Sequence, residues 1–331
     1  MTGDLRDLPK ANLHLHLTGS MRPGTLAELA ARAGIAVPPP LGPGKHGWPE
    51  FQGRYDAARA VIRSAADISR VVSEAVEDAL ADGCRWLELQ VDPTSYEDLL
   101  GGLEPVVEAV LEGLRGSPAA VIVSSSWARP GGHAQRLARV AARYRDAGVV
   151  GFGLSNDERL GTVEDFAPAF RIAADAGLLG VPHSGFYQAA WHVRECVELL
   201  GARRIGHGLT AAADPGTVRL LAERQVALEV CPTSYPPFGV CELRDLPLRE
   251  LLDAGVPVAL ASDDPLLFGA DLTDQYRIAR REVGLTDTEL AAIARWSITV
   301  SAAPDEAKRG MIKDVNGWLA AAGSRQASTS T

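Results

Sequence analysis

The sequence predicts an α/β protein folded as one (β/α)8 TIM barrel, and three observations carry that prediction. Apolar runs of strand length alternate with amphipathic stretches of helix length along nearly the whole chain, and eight such runs can be counted. Alternation of this kind implies parallel strands joined by right-handed crossovers, which close most naturally as an eightfold barrel. The turn after the first run reads LTGSMRPG, which is not a dinucleotide-binding glycine pattern, so an open doubly wound sheet lacks its usual support. Uncommon polar residues also stand at the C-terminal ends of several runs, the ends that share one face of a barrel.

The first strand is the run LHLHL, 13–17, led in by Pro9 and Lys10 and closed by the small residues Thr18, Gly19 and Ser20. Pro23 and Gly24 open a helix through Leu26, Leu29 and Ala30, and a proline-rich loop covers 38–43. A helical region over about 51–81 leads to the second strand, CRWLELQV at 84–91, which stops at Asp92 and Pro93. Helix and strand pairs then follow at 103–115 and 119–126, 133–146 and 149–155, 163–176 and 178–184, and 188–200 and 204–208. The last two pairs are 214–223 with 226–234 and 246–253 with 256–264. One barrel domain is expected over 1–320, and the polar ending GSRQASTST places a disordered tail at 321–331.

With 331 residues, 46% of them hydrophobic, the chain can bury a core of that size. Acidic residues exceed basic ones by 42 to 33, and the net charge of −9 without a basic stripe argues against a nucleic-acid partner. Cys84, Cys196, Cys231 and Cys241 form no C-x-x-C pair and read as thiols of a reducing cytoplasm. No segment offers an apolar signal core or the roughly 18 apolar residues of a membrane span. The expectation is a cytoplasmic protein acting on a small-molecule substrate, alone or as a homo-oligomer, without nucleic acid or membrane.

His14 and His16 stand two apart on a strand, so their side chains share a face and can reach one metal ion. His183 ends the fifth strand, His207 the sixth, and Asp263 with Asp264 the eighth. Any one of them alone is an ordinary polar strand end satisfied by a local hydrogen bond; gathered on one barrel face they form a metal site. Nitrogen and carboxylate donors suit Zn²⁺, with Fe²⁺ and Mn²⁺ the weaker candidates, and an open position would hold a water acidified toward neutrality. Leu89, Gln90, Asp92, Ser155, Asn156, Asp157 and Tyr235 stand at or just beyond strand ends and should line the pocket. For Asn156 and Asp157 a helix-capping turn is the alternative.

PKANLHLHLTGSMRP, the His183 segment, RIGHG and SDDPLLFG, spread over roughly 8–320, together resemble the adenosine deaminase family of the amidohydrolase superfamily. HGWPEFQGRYDAAR, LELQVDPTSY and VVGFGLSNDER look closer to its aminodeoxyfutalosine deaminase branch, as does Thr18, where adenosine deaminase carries an acidic residue. The resemblance implies a metal-dependent amidohydrolase barrel in which His14, His16, His183 and Asp263 bind one zinc ion per chain. It further implies that His207 orients and helps deprotonate the water, with Asp263 beside it, and that Asp264 hydrogen-bonds the five-membered ring of a purine.

One departure separates the chain from the family's pattern. The family's His-x-Gly-Glu motif reads His183-Ser184-Gly185-Phe186 here, so the glutamate that protonates the ring nitrogen is replaced. A positioned general acid contributes about 10² to 10⁴ in rate, and phenylalanine supplies neither proton nor hydrogen bond. Tyr187 is expected to point elsewhere, and a phenol of pKa about 10 is a poor donor for this step. Glu195 is too far along the chain to substitute. The family's CPxSN segment reads Cys231-Pro232-Thr233-Ser234-Tyr235, followed by Pro236, Pro237 and Phe238, so with Phe186 and Tyr187 the pocket looks remodelled; Gly185, Phe186 and Tyr235 are expected to contact substrate there. Three readings follow: a zinc aminohydrolase of a purine-nucleoside-like molecule, a divergent zinc enzyme of amide or imine hydrolysis, elimination or cyclisation, and a non-catalytic binding protein. The full set of metal ligands with His207 favours an enzyme.

Overall fold

In the computed structural model, which describes residues 3–42 and 44–327, eight parallel strands follow one another around a single sheet in chain order. They are β1 Lys10–His16, β2 Cys84–Val91, β3 Ala119–Ser126, β4 Val149–Ser155, β5 Leu179–Ser184, β6 Arg204–His207, β7 Ala227–Val230 and β8 Val258–Leu260. The ring is joined between β1 and β8 by a bridge from Leu15 to Asp263. There the His16 N–H donates to the Asp263 carbonyl at 3.0 Å and the Asp263 N–H to the His14 carbonyl at 2.9 Å. Helices lie between successive strands, as the alternation of the sequence requires.

Side chains alternate across each strand, and this decides which residues meet inside the barrel. On β1, Asn12 donates to the Ser262 hydroxyl at 2.7 Å, and His14 reaches Glu229 of β7. Leu13 and Leu15 are buried on the opposite face. The interior is polar where three strands contribute Glu88, Arg204 and Glu229, while the apolar core lies mainly between sheet and helices.

Several boundaries differ from the sequence reading. The helical region over 51–81 is two helices, Trp48–Ala60 and Ala65–Ala81, divided where the Ser64 hydroxyl accepts the Asp67 N–H as an N-cap. The seventh and eighth runs form strand only over four and three residues, because 3-10 turns at Pro232–Ser234 and Pro236–Phe238 and the left-handed Asp263 end the regular pairing early. The final helix, Asp305–Ala327, overlaps the tail expected at 321–331, of which 328–331 lie outside the described residues. Among the described residues no helix is long and apolar enough to cross a membrane, and all four cysteines are free thiols.

Candidate metal centre and its cavity

The ends of β1, β5, β6 and β8 bring four histidines and two aspartates to one face of the barrel. The His14 ring centroid lies 4.5 Å from that of His183 and 5.0 Å from those of His16 and His207. Asp263 Oδ1 is 3.3 Å from His14 Nε2 and 3.2 Å from His16 Nε2, and its Oδ2 accepts the Ser234 hydroxyl at 2.6 Å. Three overlapping donor sets have their atoms within 4.8 Å of one another: His14–His183–His207, His14–Cys231–Asp263 and His16–Asp263–Asp264. The four ligands expected from the sequence are all in this cluster, and Cys231 joins it.

The backbone is bent to build the cluster. His207 and Asp263 have φ of 68° and 58°, and Asn156 at the rim has 73°, a left-handed conformation that Asn, Asp and His tolerate better than most residues. Gly206 is a matter of space: a Cβ there would lie 2.6 Å from His183 Cδ2 and 2.8 Å from His14 Cε1. A Cβ at Gly19 would lie 1.8 Å from Asp264 Oδ1, so this glycine leaves the carboxyl its place.

A buried charged chain supports His14 from behind. Its Nδ1 meets Glu229 Oε2 at 2.8 Å, and Glu229 Oε1 accepts Arg204 Nε at 2.6 Å. Arg204 also donates to Glu88 and, at 2.9 Å, to the Val300 carbonyl; Glu88 accepts the Ala302 N–H at 2.6 Å. A carboxylate on Nδ1 holds the proton there and leaves Nε2 free to ligate, the usual arrangement behind metal-bound histidines. The sequence reading missed this chain. Its signal was present in LELQV and ALEV, where a charge interrupts each buried strand.

Electrostatics prepare the same side chains for a cation. Burial pushes His16, His183 and His207 below the ordinary histidine value, His207 to about 3. Burial opposes ionisation of Asp263 too, but hydrogen bonds from His14 and His16 and charge from His14 and His207 outweigh it and hold that carboxyl well below its usual range. Burial, and then the charge of Asp263, push Asp264 well above that range. Burial opposes charge on His14, but hydrogen bonds and charge from Asp263 and Glu229 outweigh it and raise that ring to about 10, so an ion would displace its proton. The neutral rings of His16 and His183 and the ionised carboxylate are already in the forms a metal needs. His14 Nε2, His207 Nδ1, Gln90 Nε2 and Asp264 Oδ1 are buried without a hydrogen-bond partner, a set of orphans that a cation, a water and a polar ligand would satisfy. The residues therefore fit a divalent ion.

Above the cluster opens a cavity of about 490 Å³, within the range of small-molecule sites. His16, His183, His207, Asp263 and Asp264 line its floor, and Trp48, Phe51, Phe186, Tyr187, Phe238 and Phe268 give it aromatic walls. Gln90, Asp92, Ser155, Asn156 and Asp157 line it as expected. Leu89, Gly185 and Tyr235 are not part of the lining. Leu89 alternates with Gln90 and so faces away, while Gly185 is a left-handed turn residue without a side chain. Tyr235 is fully buried, its hydroxyl accepting the Cys231 N–H at 3.0 Å, and packs behind Phe186 and His207. Asp157 does cap: its Oδ1 accepts the Arg159 N–H at 3.0 Å, and its carboxylate holds that residue's guanidinium. Tyr187, expected to point elsewhere, lines the cavity, with the Arg159 guanidinium 4.0 Å from its ring centre.

Glu158 is one of several lining residues, Trp48, Phe51 and Phe268 among them, that the sequence reading passed over. It is 2% exposed, and its Oε1 accepts the N–H groups of Phe186 at 3.0 Å, Tyr187 at 2.7 Å and Gln188 at 2.5 Å. It belongs to NDER, where only Asn156 and Asp157 are expected to line the pocket or cap a helix.

A TIM barrel with a histidine–aspartate cluster at the C-terminal ends of its strands is the architecture of metal-dependent hydrolases. The chain belongs to the adenosine deaminase family, whose sequence profile, described as Adenosine deaminase, matches residues 9–318. It is 49% identical over 332 residues to a "Putative adenosine/adenine deaminase" of Streptomyces virginiae, covering 96% of this chain and 98% of that one. Identity to the aminodeoxyfutalosine deaminase of Acidothermus cellulolyticus is 34% over 294 residues, 83% of each chain. In three dimensions it matches the adenine deaminase of Arthrobacter aurescens with a TM-score of 0.84 and 28% identity, covering 94% of this chain and 99% of that one. The protein is a hydrolytic enzyme of the amidohydrolase type.

Proposed function

We propose that the protein hydrolytically deaminates an aminopurine, as free base or nucleoside, using one zinc ion per chain. The observation that supports this best is the convergence of His16, His183, His207 and Asp263 on the floor of an aromatic-walled cavity, with the buried His14 in the same donor cluster, in a chain whose relatives are named deaminases. His14, His16, His183 and Asp263 would hold the ion. When bound, it lowers the pKa of a water toward neutrality.

His207, neutral because it is buried, takes a proton from the attacking water and passes it to the leaving amine. Burial and the charge of Asp263 favour the protonated form of Asp264, which can donate to a nitrogen of the five-membered ring and so give its orphaned oxygen a partner. Phe186 and Phe238 offer flat apolar surface to a purine. The free thiols agree with a cytoplasmic place of action.

Metal analysis of wild type, His16→Ala and Asp263→Ala, with ammonia release from adenine, adenosine and aminodeoxyfutalosine, tests the reading. About one zinc in wild type, lost in both variants, and turnover of at least one substrate are expected. Equal substoichiometric zinc in all three proteins would remove the metal site. A zinc-replete wild type inert to every substrate would remove the activity.

A further inference from the structure

Addition of water to the amino-bearing ring carbon drives an electron pair onto the adjacent ring nitrogen, which must take up a proton, and Phe186 has none to give. We propose that Glu158 is the proton donor to that nitrogen, replacing from the β4 side the acid absent at position 186. The proposal rests on the aminopurine reading above.

Placement is the first argument. Glu158 begins the turn Glu158–Leu160 after β4 and lines the same cavity as His183, Phe186 and His207. Because Oε1 takes the N–H groups of Phe186, Tyr187 and Gln188, the carboxyl group sits against the main chain of the residue that would have carried the acid.

The two oxygens are also unequal. Oε1 is saturated with three donors, whereas Oε2 is buried and has no hydrogen-bond partner. When this carboxyl group is protonated, the oxygen that only accepts leaves the proton on the other, so Oε2–H is then a buried donor left for a ligand acceptor. Burial pushes this group up to about 7 against the lowering effect of the three N–H donors, and the charge of Asp157 adds to the rise. The other titratable groups facing it are Arg159, which Asp157 holds, Tyr187 and the Cys196 thiol. An acid poised near neutrality suits general acid catalysis.

The protons balance. Water adds its oxygen to the ring carbon and gives one proton to His207, while Glu158 Oε2–H passes its proton to the ring nitrogen. The carbon–nitrogen bond to the amine then breaks, and the amine leaves as ammonia with the proton from His207. The hydroxyl proton released as the carbonyl forms restores Glu158 through solvent. Substrate and water have become the oxo product and ammonia.

Glu158→Gln keeps an oxygen for the three N–H groups and removes the acid; Glu158→Ala removes both. With zinc-loaded proteins and the three substrates above, Glu158→Gln should retain zinc content, Tm and KM while kcat falls by about 10² to 10⁴. Because the acid must be protonated to act, wild-type kcat should fall as pH rises through about 7, and Glu158→Gln should lack that limb. Infrared difference spectra supply a readout apart from turnover: a protonated-carboxyl carbonyl band that titrates near neutrality in wild type and is missing in Glu158→Gln. A Glu158→Gln protein with wild-type kcat, or one that keeps the alkaline limb, overturns the proposal and leaves Glu158 a loop anchor in a working deaminase. A zinc-replete wild type that releases no ammonia from any of the substrates overturns this proposal together with the reading beneath it.

Discussion

Gly206→Ala adds one methyl group at the narrowest point of the metal centre. The new Cβ would stand 2.6 Å from His183 Cδ2 and 2.8 Å from His14 Cε1, closer than carbon atoms approach without something moving. Neither ring can retreat freely, since His14 is held by Glu229 at 2.8 Å and His183 by Gln90 at 3.1 Å. Overpacking of a filled site costs about 1 to 3 kcal/mol, and if that cost falls on the ligand geometry it weakens metal binding by about 5- to 140-fold. Zinc affinity measured by chelator competition, alongside Tm, reads the effect. Gly132→Ala is the matched control, because nothing lies within 4 Å of its Cβ position. Wild-type zinc affinity in Gly206→Ala would refute the argument that this glycine is there to let the two imidazoles approach.

Arg204→Met leaves Glu88 and Glu229 buried without their shared cation, so unfolding free energy in urea should drop by about 3 to 5 kcal/mol; a drop under about 1 would show that the network relaxes without it. Phe186→Glu should not bring the gain of about 10² to 10⁴ in kcat expected of a restored acid, because its carboxylate would stand among the rings of Tyr187, His207, Tyr235 and Phe238. A gain of that size on adenosine would count against both the remodelled rim and Glu158.

A fourth expectation concerns pH. Buried His192 is pushed down to about 4 by desolvation, whereas the unfolded chain titrates near 6.5. The unfolded state therefore takes up the proton first as pH falls, so this group's share of stability, about 3 kcal/mol, is present above about 6.5 and lost toward about 4. Denaturant titrations of wild type and His192→Gln should differ in slope across that window, and parallel curves would refute the assignment.

Much of the candidate site is legible in the sequence, because it is written in strand periodicity. His14 and His16 had to share a face once LHLHL was a strand, and barrel closure had to bring their ends beside His183, His207 and Asp263. The same alternation could have placed Leu89 outside, since it neighbours Gln90 on one strand.

What the sequence by itself determined was the alternation of elements, hence the parallel barrel, and the side chains stationed at its C-terminal face. What only the tertiary structure decided were contacts between residues far apart in the chain: Glu229 behind His14, Arg204 joining β2 to β7, Tyr235 turned inward to meet Cys231, and Glu158 against the backbone of residues 186–188. Periodicity reports which face a side chain occupies. Which partner it finds there depends on how loops of non-repeating backbone, with His207, Asp263 and Asn156 at positive φ, bring distant segments within hydrogen-bond reach.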